Sequence, residues 1–192
     1  MLETKTMSSV MLDFETFGNT SDGAVVQIGA CYFDEKTGEI GETFYMNVDA
    51  DSSIKSGGTM NGDTVYWWLQ QSQEARDSVC KEPRVDCHFA FNQLNNFLTE
   101  AKAIWSHATF DFVILTNTLK RLHLKPSFSF RATRDIRTLT ALANVKKSDM
   151  RGIERKGIHH DAQSDCLYQV KYCVYALNQI RAPRCGEITH AE

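Results

Sequence analysis

Apolar and polar positions along this chain follow two different periods, and the change from one to the other organises the sequence. Residues 7–14 form an apolar run that reads as a buried strand. Residues 24–34, "AVVQIGACYFD", read as a second strand and 42–48, "ETFYMNV", as a third. The turn-rich connectors "GNTSDG" and "EKTGEIG" predict an antiparallel three-strand meander. A loose segment, "DADSSIKSGGTMNGD", follows.

The spacing then turns helical. Residues 64–76, "TVYWWLQQSQEAR", predict a helix, and residues 87–98 carry Phe89, Leu94, Phe97 and Leu98 at roughly helical spacing. Residues 103–107 read as a short strand. Residues 111–122 read as a helix with Asp111, Leu115, Leu119 and Leu122 on one stripe. "SFSFRA" (127–132) reads as a further strand and 134–144 as a helix. Residues 146–157 form a basic, glycine-bearing loop. Residues 162–179 form a closing helix with Ala162, Cys166, Val170, Val174 and Leu177 on one face. Residues 1–182 are expected to be a single domain, with 183–192 a flexible tail. Strands followed by alternating helices and strands predict an α/β layer fold with a mixed sheet.

Composition narrows this picture. The 192 residues suffice for one domain with a sizeable core. No apolar run approaches a membrane span, and the N-terminus lacks the pattern of a signal peptide, so a cytoplasmic protein without a membrane partner is expected. Six cysteines form no CxxC pair, which argues for free thiols over a structural zinc site. A formal net charge of −3 disfavours a large non-specific nucleic-acid binder but not an enzyme that grips a few nucleotides.

The candidate chemistry lies in the acids. Asp13 and Glu15 stand two apart on the first strand, so they share a face roughly 7 Å apart. Paired hard oxygen ligands suit Mg²⁺ or Mn²⁺. Taken singly, each acid has an ordinary reading. Asp13 caps a turn, Glu15 ends a strand, and Asp111 meets a helix dipole. Asp161 is placed to N-cap the closing helix, with His160 just before it and Asp165 one turn in. Together, four inward-leaning acids on three segments would repel one another unless cations lay among them. Two divalent ions about 3.5–4 Å apart would serve in-line attack on a phosphate. A histidine would take the proton from water.

"DFET", "FD" after a short strand, and H-x4-D in the last segment resemble the three signature motifs of the DEDDh 3′–5′ exonucleases. "DTVYWWLQQSQEAR" and "RDIRT" are similar to the phage exonuclease A branch of that superfamily. The tryptophan-pair segment is also similar to an adenylate-preferring bacterial exoribonuclease. The resemblance implies a ribonuclease H-like fold: a mixed five-stranded sheet, three antiparallel strands then parallel strands, flanked by helices. It implies a phage or prophage source, hence host cytoplasm, and single-stranded nucleic acid 3′ ends as partner, DNA favoured and RNA allowed. It also allows a homodimer. By motif, Asp13 would bridge two divalent ions, Mg²⁺ or Mn²⁺. Glu15 and Asp165 would complete the first site, Asp111 would hold the second, and His160 would be the general base with His159 as competitor. Phe14, Thr16 and Phe17 would grip the terminal nucleotide, Phe17 being the preferred stacking ring and Phe14 equally read as core. Trp67 or Trp68 would edge the site. His107 stands where many relatives carry asparagine and would replace it as a substrate contact. The basic run Lys146, Lys147, Arg151, Arg155 and Lys156 would attract the backbone, with Arg134 and Arg137 either joining it or pairing with Asp135.

Overall fold

Strand β1, Ser9–Thr16, divides the molecule into its two faces. Val10, Leu12 and Phe14 point to one side and Met11, Asp13 and Glu15 to the other, all of them buried. In the computed structural model, which describes residues 7–146, 149 and 152–182, β1 lies at the centre of a mixed sheet. It pairs antiparallel with β2 (Val25–Phe33), which pairs antiparallel with β3 (Ile40–Val48). On its other edge β1 runs parallel to β5 (Ala103–Ser106), and β5 runs parallel to β6 (Thr133–Asp135).

The sheet has six strands, not five, in the order β4-β3-β2-β1-β5-β6. The addition is β4, Arg84–Val85, which runs parallel to β3 at Asn47 and Val48. Two residues offer no period to read, so only tertiary pairing reveals this strand. The strand expected at 127–132 is also displaced. Phe128 is buried but Phe130 is 80% exposed, and the Ser129 side chain caps a 3-10 turn over Phe130–Ala132. The strand follows that turn. Local serine capping here overrides an alternation that resembles a strand.

Seven helices are described. α1 (Ala50–Lys55), capped by Asp49, lies in the segment expected to be loose. The helix expected over 64–76 is two, α2 (Gly62–Leu69) and α3 (Gln73–Cys80), because the Ser72 side chain accepts the Ala75 N–H and starts a new helix. α4 (Cys87–Phe97) and α5 (Asp111–Arg121) cover the Leu12 face with Phe91, Leu94, Ile114, Leu115 and Leu119. α6 (Ile136–Leu142), capped by Asp135, and α7 (Ala162–Arg181) cover the Met11 face. There Cys166, Val170, Cys173 and Val174 pack on Met11, Cys31 and Phe33.

α7 crosses β2 at Gly29, where a Cβ would stand 2.3 Å from the Ala162 backbone. Only glycine admits this approach, which carries the start of α7 to the acids of β1. Cys31, Cys87, Cys166 and Cys173 are buried free thiols and Cys80 is an exposed one. No described helix is long and apolar enough to cross a membrane. Lys147, Arg151, Cys185 and the expected tail, 183–192, lie outside the described residues.

Candidate active site

The acids meet where β1 outlasts its neighbour. β5 pairs only with Ser9–Met11 of β1, so the next stretch of that edge lacks a sheet partner. There the Phe14 N–H donates to Asp111 Oδ1 at 3.2 Å. Asp111 heads α5, and its Oδ2 accepts the His107 N–H at 3.1 Å. On the opposite face, Gln169 Nε2 of α7 donates to Asp13 Oδ1 at 2.7 Å. Asp165, one turn before Gln169, is contacted by the Arg155 guanidinium. Arg155 also lies over the Tyr168 ring, 4.9 Å from its centroid.

Two sets of donor atoms result. One atom each from Asp13, His107 and Asp111 lie within 4.8 Å of one another, and so do one each from Glu15, His160 and Asp165. Burial, followed by repulsion from Asp111, Glu15 and Asp165, holds the Asp13 carboxyl well above its usual range. Burial, followed by repulsion from Asp165, Asp111 and Asp161, raises Glu15 despite Arg155. Burial pushes Asp111 up to about 7, against the backbone N–H groups and Arg137 that favour its charge. Asp165 is raised by burial despite Arg155. Among the described residues, Arg155 is the one lysine or arginine that pairs with these acids, at Asp165.

His160 is placed by a buried polar network at the start of α7. One Asp161 oxygen caps the helix, accepting the Ser164 N–H at 2.9 Å. The other accepts Ser78 Oγ at 2.6 Å and the Tyr45 hydroxyl at 3.0 Å. Gln27 Oε1 accepts the Ala162 N–H at 2.7 Å, while its Nε2 donates to Tyr45, Asn47 and Ser78. Immediately before this cap, His160 takes a left-handed backbone, φ 63°, a conformation histidine adopts more readily than most residues but still one to be held in place. Its ring meets Trp67 edge-on at 4.7 Å. Burial, with His159 and Arg155 nearby, lowers its pKa to about 4, so the imidazole is neutral at neutral pH. His159 is exposed and falls in neither donor set.

Beside Glu15 opens a cleft of about 400 Å³, lined by Phe14, Thr16, Asn19, Asp63, Trp67 and Phe110 among others. Trp68, in contrast, is buried, and its indole N–H donates to the Thr16 carbonyl at 2.9 Å. Phe17 does not line the cleft. It packs edge-on against Trp68 at 6.5 Å, behind the cleft wall. His107 lies away from the cleft too, its Nδ1 3.9 Å from Asp111 Oδ2. Burial and then Arg137 lower its pKa to about 4. A roomier groove of about 680 Å³, at Tyr32, Phe44 and Phe97, contains none of these acids.

Five residues at or behind the site are not singled out by the sequence: Gln169, Phe110, Gln27, Tyr45 and Ser78. Gln169 was legible in principle, four residues after Asp165 and so on the same helical face. Phe110 directly precedes Asp111, whose charge is the stronger local signal. The Gln27–Tyr45–Ser78 network gives no local signal, because its members come from three distant segments.

The profile of the 3′–5′ exoribonuclease Rv2179c-like domain matches residues 8–177. An exodeoxyribonuclease of Enterobacteria phage T4 is 27% identical over 205 residues, covering 89% of each chain. E. coli Exonuclease I in complex with a dT13 oligonucleotide superposes with a TM-score of 0.62 at 17% identity, covering 92% of this chain and 42% of that one. The zinc-ion-bound form of an E. coli Exonuclease I complex with single-stranded DNA gives 0.60 at 17%, covering 92% and 41%. The chain thus spans about two fifths of the length of the Exonuclease I chains. At that identity the likeness concerns the fold, which is ribonuclease H-like.

Proposed function

The chain belongs to the 3′–5′ exoribonuclease Rv2179c-like domain family, and from that premise we propose that it releases nucleoside monophosphates from the 3′ ends of single-stranded DNA. It is a 3′–5′ exonuclease of the DEDD superfamily, whose members depend on divalent metal. The observation that carries the finer reading is the pair of carboxylate–imidazole donor sets beside one aromatic cleft.

The donor chemistry fits hard divalent ions. Four acids supply oxygen, and Gln169 Oε1, buried without a partner, remains free to accept a hydrogen bond from a hydrated cation. We assign Asp13 to both ions, Glu15 and Asp165 to one, and Asp111 to the other. Two Mg²⁺ or Mn²⁺ ions would neutralise the acids and stabilise the charge that develops on the phosphate. The protein's own groups do the rest. Trp67, Phe14 and Phe110 offer apolar surface to the last base, where a stacked aromatic contributes about 1–3 kcal/mol without reading sequence. Thr16 and Asn19 offer polar groups to the sugar. His160, neutral and adjacent to Glu15 and Asp165, accepts the proton of the attacking water.

A second reading, RNA as substrate, is favoured by the exoribonuclease domain family to which the chain belongs. DNA is preferred here because the T4 exodeoxyribonuclease aligns along nearly the whole of both chains. Matched 3′-labelled DNA and RNA oligomers, digested with Mg²⁺ or Mn²⁺, separate the two. DNA should shorten from its 3′ end faster than RNA, and both EDTA and Asp13→Ala should stop it. Faster digestion of RNA would replace the first reading by the second, and full activity of Asp13→Ala would overturn the metal assignment.

A further inference from the structure

Beside the donor set of Asp13, His107 and Asp111, and sharing His107 with it, lies a second cavity of about 230 Å³, lined by His107, Arg137, Thr140, Lys146 and Tyr172 among others. It shares no lining residue with the aromatic cleft. Their charges differ. Among the described lining residues, the cleft carries Glu15 and Asp63, whereas the second cavity carries two cations, a histidine and no acid.

The Lys146 backbone N–H donates to Asp149 Oδ2 at 2.9 Å, but neither charged side chain has a partner among the described residues. Among the described residues neither Arg137 nor Lys146 forms an ion pair. Asp135, the acid two residues before Arg137, is already engaged. Its oxygens accept the Thr138 N–H and hydroxyl and the Ala108 N–H. Arg134 is turned away, donating to the Arg131 and Thr133 carbonyls. Arg137 is nonetheless near enough to act electrostatically on both Asp111 and His107. Two unpaired cations beside a donor set, facing an open cavity, are arranged for an anion that arrives with the substrate.

We propose that Arg137 and Lys146 form a subsite for a phosphodiester of the strand upstream of the scissile bond. The terminal nucleoside occupies the aromatic cleft, the reacting phosphate lies at the acids, and the next backbone phosphate reaches the second cavity. Tyr172 offers a hydroxyl donor there, whereas the Thr140 hydroxyl already donates to the Ile136 and Arg137 carbonyls. This rests on the exonuclease reading above and adds to it a specificity: substrates with an upstream nucleotide are held better than single-nucleotide esters.

The test compares wild type with Arg137→Ala/Lys146→Ala. Both side chains are exposed, so the double change leaves the core intact. Binding of a 5′-fluorescein oligonucleotide is read by anisotropy in Ca²⁺, and turnover is read on the same oligonucleotide and on the p-nitrophenyl ester of thymidine 5′-monophosphate. The double variant should bind the oligonucleotide about tenfold more weakly. Its plot of log affinity against log salt should be shallower by about 0.7 for each phosphate no longer neutralised. The ratio of kcat/KM for oligonucleotide over ester should fall about tenfold. Unchanged affinity and ratio would overturn the subsite. So would equal losses on both substrates, which would place the cations at the reacting centre. A wild type that cleaves neither substrate with Mg²⁺ or Mn²⁺ would count against the nuclease reading, while the anisotropy comparison would still decide the subsite.

Discussion

Gln169 shows how a neutral side chain can govern a charged site. It donates to Asp13, which is buried among three other acids. Gln169→Leu keeps the volume and removes the donor, so Asp13 loses the group that orients it. The affinity for Mg²⁺ or Mn²⁺ should fall about 10–100-fold, as when other outer partners of metal ligands are removed. Calorimetric titration reads this, and an unchanged affinity would mean that Asp13 is held without Gln169. The adjacent histidines should separate as sharply. His160 lies in a donor set and His159 does not, so His160→Ala should lower kcat roughly a hundred- to ten-thousandfold. His159→Ala should leave kcat within the same order of magnitude. Stopped-assay rates at saturating substrate distinguish them, and a larger effect at His159 would exchange the two roles.

Among the elements, α7 matters most, because it carries Asp165, Gln169 and the Asp161 cap that positions His160. Its approach to the sheet depends on Gly29, where any Cβ meets the Ala162 backbone at 2.3 Å. Backbone cannot swing aside as a side-chain tip can. Gly29→Ala should therefore cost about 1–3 kcal/mol, as overpacked cores do, and lower Tm by several degrees. Exonuclease activity should fall with it, since displacing α7 separates Asp165 from Glu15. Thermal melts and digestion rates on the same preparation check this, and a variant with wild-type Tm would show that α7 has room to move. The sequence placed this helix well, because its apolar face repeats over several turns. It failed at 64–76 and 127–132, where a single serine, Ser72 or Ser129, stops one pattern and caps another.

At the scale of the whole molecule, Glu35 ties together parts that lie far apart in the chain. Its carboxylate accepts Ser9 Oγ of β1 at 2.9 Å, the Trp105 indole N–H of β5 at 3.0 Å and the Arg181 guanidinium at the end of α7 at 2.6 Å. Burial alone would raise its pKa, but these donors outweigh burial and hold it below the ordinary 4.5. A lowered folded pKa means that the unfolded chain binds the proton more readily. The contribution is then fully present above about pH 4.5 and is lost as pH falls through the folded pKa. Glu35→Gln should lower stability at pH 7 by roughly 0.5–1 kcal/mol, a modest figure because solvent screens the half-exposed pair. The difference from wild type should shrink at pH 3.5. Urea titrations at the two pH values read it, and a deficit that grows on acidification would contradict the assignment.

The sequence by itself determined the central strand, the antiparallel meander that it opens, the closing helix and the places of the four candidate acids along the chain. Each is encoded by local periodicity or by a short motif whose spacing is rigid. What only the tertiary structure decided is where those acids stand relative to everything else. Phe17 turned behind the cleft, Trp67 and Phe110 lined it, and Gln27, Tyr45 and Ser78 converged to fix the start of α7. Such contacts join residues up to 135 positions apart. They are set by how closely two surfaces pack, and no period within either surface records that distance.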